Sequence, residues 1–221
     1  MGHQAVERLI DEHAHVHGSS PTLNRALASL VATVNQHDTY TGGHSMRVAD
    51  YAGTIARSMG LGEEQVALTS EAGMVHDIGK IAIPETILKK SKTLTDEEFH
   101  LVSLHPILGA SILARMPGME KLVGIVLYHH ERWDGEGYPS RLSGVHIPLE
   151  SRIILVADIY DAMTSKHSLR RTLAPDAAAT EIARCAGNQF DPLIVDAFLE
   201  AHRNSGLKPF SPTKSLHSLV L

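Results

Sequence analysis

Apolar side chains recur along "HSMRVADYAGTIARSMG" at Val48, Ala52, Ile55 and Met59, in steps of four, three and four. That rhythm lays a single stripe along an amphipathic helix, which Gly60 closes. "GEEQVALTSEAGMVHDIGK" repeats the scheme through Val66, Thr69 or Ser70, Gly73 with Met74, and Asp77. "TDEEFHLVSLHP" opens with Thr95 and Glu98 in capping-box spacing, and Pro106 breaks or kinks this helix before "ILGASILARM" resumes the pattern. Another helix is predicted from Leu122 to His130. The run "ESRIILVADIYDAMTS" is apolar enough to mimic a strand, but its unbroken length to Ser165 predicts a helix. Pro175 and Pro192 stand where a first helical turn tolerates proline, the second just behind the capping residue Asp191. Between Glu131 and Pro148 the Gly, Pro and Ser content predicts an ordered loop. Period-two alternation is nowhere sustained, so the predicted fold class is all-α, a compact helical bundle whose short connections pack neighbouring helices side by side.

A chain of 221 residues accommodates one such domain with appendages. The expected division is an N-terminal appendage over 1–21, the bundle over 22–205 and a turn-prone tail over 206–221. With 43% hydrophobic and 20% charged residues the composition is that of a soluble globular protein. A net charge of −5 excludes binding of nucleic acid polymers by bulk charge, and an anionic substrate must meet a local cluster of Lys and Arg. The lone Cys185 cannot form an intramolecular disulfide, the start "MGHQAVERLIDEHAHVHG" lacks the pattern of a signal peptide, and no stretch is apolar enough to insert in a membrane. A cytoplasmic location is the expectation.

Histidine is the anomaly, with 15 in the chain. His44, His76 with Asp77, His105, His129 with His130, and Asp158 fall on predicted helix ends or interior faces. Taken singly, an inward histidine is more often a hydrogen-bonded core residue than a ligand. Taken together, so many are hard to bury without orphaned nitrogens, and a bundle core is a recognised place for His and carboxylate metal ligands. His13, His15 and His17 form an alternating tract that reads as a solvated tail sooner than as an adventitious metal binder.

The motifs "HDIGK", "HPILGASIL", "HHERWDGEGYP" and "RIILVADIYDAMTS", preceded by "DTYTGGHSMRVADYA" and followed by "GNQFDPLIVDAF", resemble the HD-GYP family over about Asp38 to Phe198. These are bacterial phosphodiesterases of cyclic di-GMP within the metal-dependent HD hydrolases. The resemblance implies two divalent metal ions, iron or manganese first, with zinc, nickel or cobalt as further candidates. It implies that Asp77 bridges both ions, that His44, His76 and Asp158 complete one site, and that His105, His129 and His130 complete the other. The implied reaction is attack by a hydroxide shared by the metals, giving pGpG, with GMP as the alternative end product. Lys80 resembles a lysine that approaches the scissile phosphate. Asp161, three residues beyond Asp158, shares its helix face and is expected to orient a ligand or the nucleophile. Thr164, Lys166 and Arg170 are candidate substrate contacts. Gly137, Tyr138 and Pro139 form the GYP loop, which the family links to diguanylate cyclase domains as partners; a homodimer is compatible with the sequence.

The chain departs from the family in places. Tyr40 stands where some members carry a glutamate for a third metal, so a binuclear centre is expected, with Asp38 the one nearby carboxylate. "KHSLR" replaces a segment like "DRPYR", so that His167 and Leu169 stand in place of an arginine and a tyrosine expected to grip substrate. Two rival functions follow: a phosphohydrolase of another nucleotide or phosphoester, and a non-catalytic scaffold that senses a nucleotide or docks a cyclase through Trp133 to Pro139.

Overall fold

The computed structural model describes residues 43–90, 92–165, 172–204 and 207. In these the regular elements are helical: α1 His44–Ser58, α2 Glu63–Val75, a 3-10 turn Ile78–Ala82, α3 Glu85–Leu88, α4 Asp96–Val102, α5 His105–Leu113, α6 Glu120–Leu127, a 3-10 turn Gly144–His146, α7 Leu149–Thr164, α8 Pro175–Arg184 and α9 Pro192–Arg203. Among the described residues an isolated bridge between Ala186 and Phe190 is the one trace of β pairing. Lys166 and Arg170, and the whole predicted appendage over 1–21, lie outside the described residues, as do Asp38 and Tyr40.

The sequence patterns explain these elements. Val48, Ala52 and Ile55 are buried on α1, as are Val66, Thr69, Gly73 and Met74 on α2, so each predicted stripe faces the core. Thr95 and Glu98 form the reciprocal capping box at the start of α4. Pro106 ends one helix and opens the next, occupying the first turn of α5. The segment from Leu149 is helix, not strand, and its Ile153, Ile154, Val156, Ala157 and Tyr160 are buried. Asp191 caps α9, its side chain accepting from the Leu193 amide at 2.9 Å. One boundary differs from the sequence reading: α6 stops at Leu127, so His129 and His130 lie beyond the helix and not in it.

α7 runs through the middle of the bundle, with α1, α8, α9, α2 and α6 packed around it. The loop 131–148 is ordered by specific bonds. Trp133 and Asp134 donate backbone N–H groups to Gln189 and Asn188 carbonyls at 3.1 and 2.8 Å. Arg152 holds the same junction from α7: its Nη1 reaches Asp191 at 2.5 Å, its Nε donates to the Ile147 carbonyl at 3.0 Å, and its guanidinium lies 5.7 Å from the Trp133 ring centroid. Leu207, past α9, is buried, and its carbonyl accepts from the Tyr160 hydroxyl at 3.1 Å. No helix among the described residues is long and apolar enough to cross a membrane.

Candidate metal centre

Helix ends build the site. α2 stops at Val75, and the chain passes through His76 and Asp77 (φ −92°, ψ 5°) into the 3-10 turn. Gly79 makes that turn feasible, because a Cβ there would overlap the His105 carbonyl and lie 2.6 Å from the Gly109 amide nitrogen. His105 begins α5 immediately after α4, and His129 and His130 follow the end of α6. α1 supplies His44 from its first turn, and α7 supplies Asp158 and Asp161 one turn apart.

Three of the imidazoles are aimed in the same way. Nδ1 of His76 lies 2.7 Å from the Gly73 carbonyl, Nδ1 of His105 2.7 Å from that of Val102, and Nδ1 of His129 2.6 Å from that of Val126. Each acceptor sits in the last turn of α2, α4 or α6, where carbonyls lack an intrahelical donor. Since a carbonyl only accepts, each Nδ1 carries a proton, and each ring turns its Nε2 inward. The negative ends of those helices also converge on the site and favour cations there.

The inward atoms meet at Asp77. Its Oδ1 is 3.3 Å from His105 Nε2, and its Oδ2 is 3.4 Å from His76 Nε2 and 3.7 Å from His44 Nε2. Asp158 Oδ1 is 3.3 Å from His44 Nε2 and 4.0 Å from His76 Nε2. His105 and His129 face one another with Nε2 atoms 3.2 Å apart. Donor atoms of His44, His76 and Asp77 all lie within 4.8 Å of one another, and so do those of His105, His129 and His130. The sequence-predicted ligands therefore come together in two groups, and the two oxygens of Asp77 address one group each. Lys80 donates to Asp77 Oδ2 at 2.7 Å. Asp161 Oδ2 lies 2.7 Å from His44 Nδ1. Thr164 donates to the Tyr160 carbonyl at 2.8 Å within its own helix.

Protonation follows from these surroundings. Burial pushes His105 down to about 3 and His130 to about 4, and it holds His129 well below its ordinary value. Burial opposes a charge on His44 too, but the carboxylates of Asp158 and Asp161 outweigh it and raise His44 to about 10. Burial alone would raise Asp77, yet His76, Lys80, His105 and His44 hold it well below the carboxylate range. The residues fit divalent cations by their own chemistry. His76 Nε2 is buried with no hydrogen-bond partner, and the facing Nε2 atoms of His105 and His129 can be reconciled by a shared electrophile.

The GYP loop closes one side. Tyr138 stacks on His130 with centroids 4.8 Å apart at 27°, and it meets Phe99 edge-on at 6.2 Å. Gly137 is buried, and a Cβ on it would come within 2.6 Å of both Glu131 Cα and the His130 carbonyl, so the loop folds back against the ligand segment. Two supports escaped the sequence reading. Glu131, 1% exposed, accepts from the Ser140 and Leu142 amides at 2.6 and 3.0 Å, and so ties both ends of the loop. Arg47 donates to both oxygens of Asp161. Its position three residues after His44, on the same helix face, was a readable signal.

Comparison with known proteins gives a consistent picture. A family model described as an HD domain matches residues 25–194. The cyclic di-GMP phosphodiesterase response regulator RpfG of Xanthomonas campestris is 39% identical over 175 residues, covering 78% of this chain and 46% of that protein. A cyclic di-GMP phosphodiesterase of Thermotoga maritima is 40% identical, covering 75% and 46%. The 3'3'-cGAMP-specific phosphodiesterase 2 of Vibrio cholerae is 35% identical, covering 81% and 35%. The chain thus spans less than half the length of these relatives. Among solved structures, Bd1817, an HDG"Y"P protein of Bdellovibrio bacteriovorus, superimposes with a TM-score of 0.66 at 14% identity, covering 91% of this chain and 70% of that one. At that identity the likeness is one of fold.

Proposed function

The chain belongs to the HD domain family, and from that premise we propose that it is a metal-dependent phosphodiesterase of cyclic dinucleotides, with cyclic di-GMP as first substrate and pGpG, then GMP, as products. The observation that carries this reading is Asp77, whose two carboxylate oxygens face separate His groups at 3.3 and 3.4 Å. Two divalent cations held there would offset the charge of the phosphodiester and supply a nucleophile at neutral pH.

The chain's own residues do the rest. Asp77 would serve both cations, with His44, His76 and Asp158 holding one, and His105, His129 and His130 the other. Mixed nitrogen and oxygen donors suit iron or manganese. Lys80, already beside Asp77, meets a non-bridging phosphate oxygen as the substrate enters and keeps the acid-rich site from repelling it. Tyr138, stacked on His130, covers that ligand's ring and presents the GYP loop beside the centre.

A second substrate has specific support: relatives at 35% and 30% identity are 3'3'-cGAMP-specific phosphodiesterases of Vibrio cholerae. The test is turnover by protein loaded anaerobically with iron or manganese, offered cyclic di-GMP, 3'3'-cGAMP and linear pGpG side by side. Hydrolysis of a cyclic dinucleotide, lost by more than about a hundredfold in His76→Ala and Asp77→Ala, supports the assignment, since a ligand matters more than its outer support. Nucleotide binding without hydrolysis, in protein that demonstrably holds two cations, refutes it and favours a sensing scaffold.

A further inference from the structure

His44 is oriented differently from His76, His105 and His129. His76, His105 and His129 each lean on a backbone carbonyl, which a helix holds rigid, whereas His44 leans on the side chain of Asp161. A carboxylate turns about its own rotors. It can aim an imidazole only if something fixes it in turn.

Arg47 does so. Its Nε donates to Asp161 Oδ1 at 2.6 Å and its Nη2 to Oδ2 at 3.0 Å, the parallel fork that arginine makes with a carboxylate. The same Oδ2 is the atom 2.7 Å from His44 Nδ1. Arg47 lies one turn beyond His44 on α1, so clamp and ligand ride on one rigid element. Asp161 lies one turn beyond Asp158 on α7, and Asp158 stands 3.3 Å from His44 Nε2. The fork therefore fixes α1 to α7 where both approach the same cation position. Room for the guanidinium comes from Gly43, which caps α1 at φ 83°, a left-handed conformation that favours glycine; a Cβ there would press on Arg47 Nη1 at 3.2 Å.

We propose that Arg47 is a positioning residue for one of the two cations, acting through Asp161 on His44, while the cation at His105, His129 and His130 does not depend on it. This rests on the two-cation reading above. A lysine cannot replace the fork, because a point charge fixes one oxygen and leaves the carboxylate free to rotate.

The test is manganese titration of chelator-treated protein, followed by calorimetry and by electron paramagnetic resonance, which separates a coupled pair from a lone ion. In Arg47→Ala the Kd of one equivalent should rise about 10- to 100-fold, the range for loss of a second-layer partner, while the other is unchanged; at limiting metal the coupled signal gives way to that of a lone ion. Arg47→Lys should fall between. In a His44→Ala background, Arg47→Ala should add nothing. Two equivalents bound as tightly as in wild type, or both weakened alike, overturn the proposal. If Arg47→Ala loses its helical circular dichroism, Arg47→Lys is judged by the same criteria. If wild type takes up a single cation, the two-cation reading falls, and the clamp is judged on that ion: weakening by both Arg47→Ala and His44→Ala supports it, and weakening by His44→Ala alone overturns it.

Discussion

The Nε2 atoms of His105 and His129 stand 3.2 Å apart, each on a ring whose opposite nitrogen already donates to a helix-end carbonyl. Burial keeps both rings neutral, so two lone pairs face one another. A cation between them turns a repulsion into a bond. Adding Mn²⁺ to chelator-treated protein should therefore raise its thermal midpoint, by the equivalent of about 2.7 kcal/mol for each cation when free metal is a hundred times that cation's Kd. His129→Leu should lose the share contributed by the cation at His105, His129 and His130, while its metal-free form is far less affected. A midpoint that ignores Mn²⁺ in wild type would sink the expectation.

The metal-free protein should be most stable near pH 6.5. His105 and His130 are depressed to about 3 and about 4 from 6.5, so they contribute fully above 6.5 and their contribution fades as pH falls toward 4. His44 is raised to about 10, so its contribution is complete below 6.5 and is lost as pH climbs toward 10. Urea midpoints in chelator at pH 4.5, 6.5 and 9 check the dome; a flat or steadily rising profile contradicts it.

Arg152→Ala should destabilise the fold by about 3–5 kcal/mol, the range for breaking a buried ion pair. Asp191, 3% exposed, would keep its capping bond to Leu193 but lose its counter-charge, and the Trp133 ring would lose its cover. Denaturant unfolding measures the loss. Tryptophan fluorescence should also change in the folded state, because Trp133 is the one tryptophan.

Gly79→Ala should cost at least about 1–3 kcal/mol, as overpacking does. The 3-10 turn and α5 cannot both stay in place, since the new methyl collides with the backbone of His105. Folded protein recovered from this variant should hold metal more weakly, because Asp77 and His105 sit on the two parts being pushed apart. Native stability with full metal uptake would show that the close approach is not needed.

Much of this was legible in the sequence where chemistry and pattern coincide. The stripes on α1 and α2, the Thr95 capping box and the Pro192 start are local rules that packing did not override. The proposed ligands were legible as residue types in motifs, and the bundle brings them together. What was hidden depends on partners distant in the chain. Glu131 looked like a loop acid beside two histidines, and nothing local says that it accepts from Ser140 and Leu142. Arg152 was visible inside a quoted motif, but its contacts come from Asp191 and Trp133, 39 residues one way and a loop away the other. The end of α6 was placed too late, because an apolar run through Tyr128 continues the helical pattern past the point where the backbone stops obeying it.

That early stop has a wider meaning. Gly73, Val102 and Val126 offer the carbonyls that aim His76, His105 and His129, so the same atoms that finish three helices also point three imidazoles. Lengthening any of those helices by a single turn would claim its carbonyl for an ordinary backbone bond and leave the imidazole unaimed. The centre can therefore be transplanted or redesigned only as a set of helix endings, each carried together with the histidine it steers.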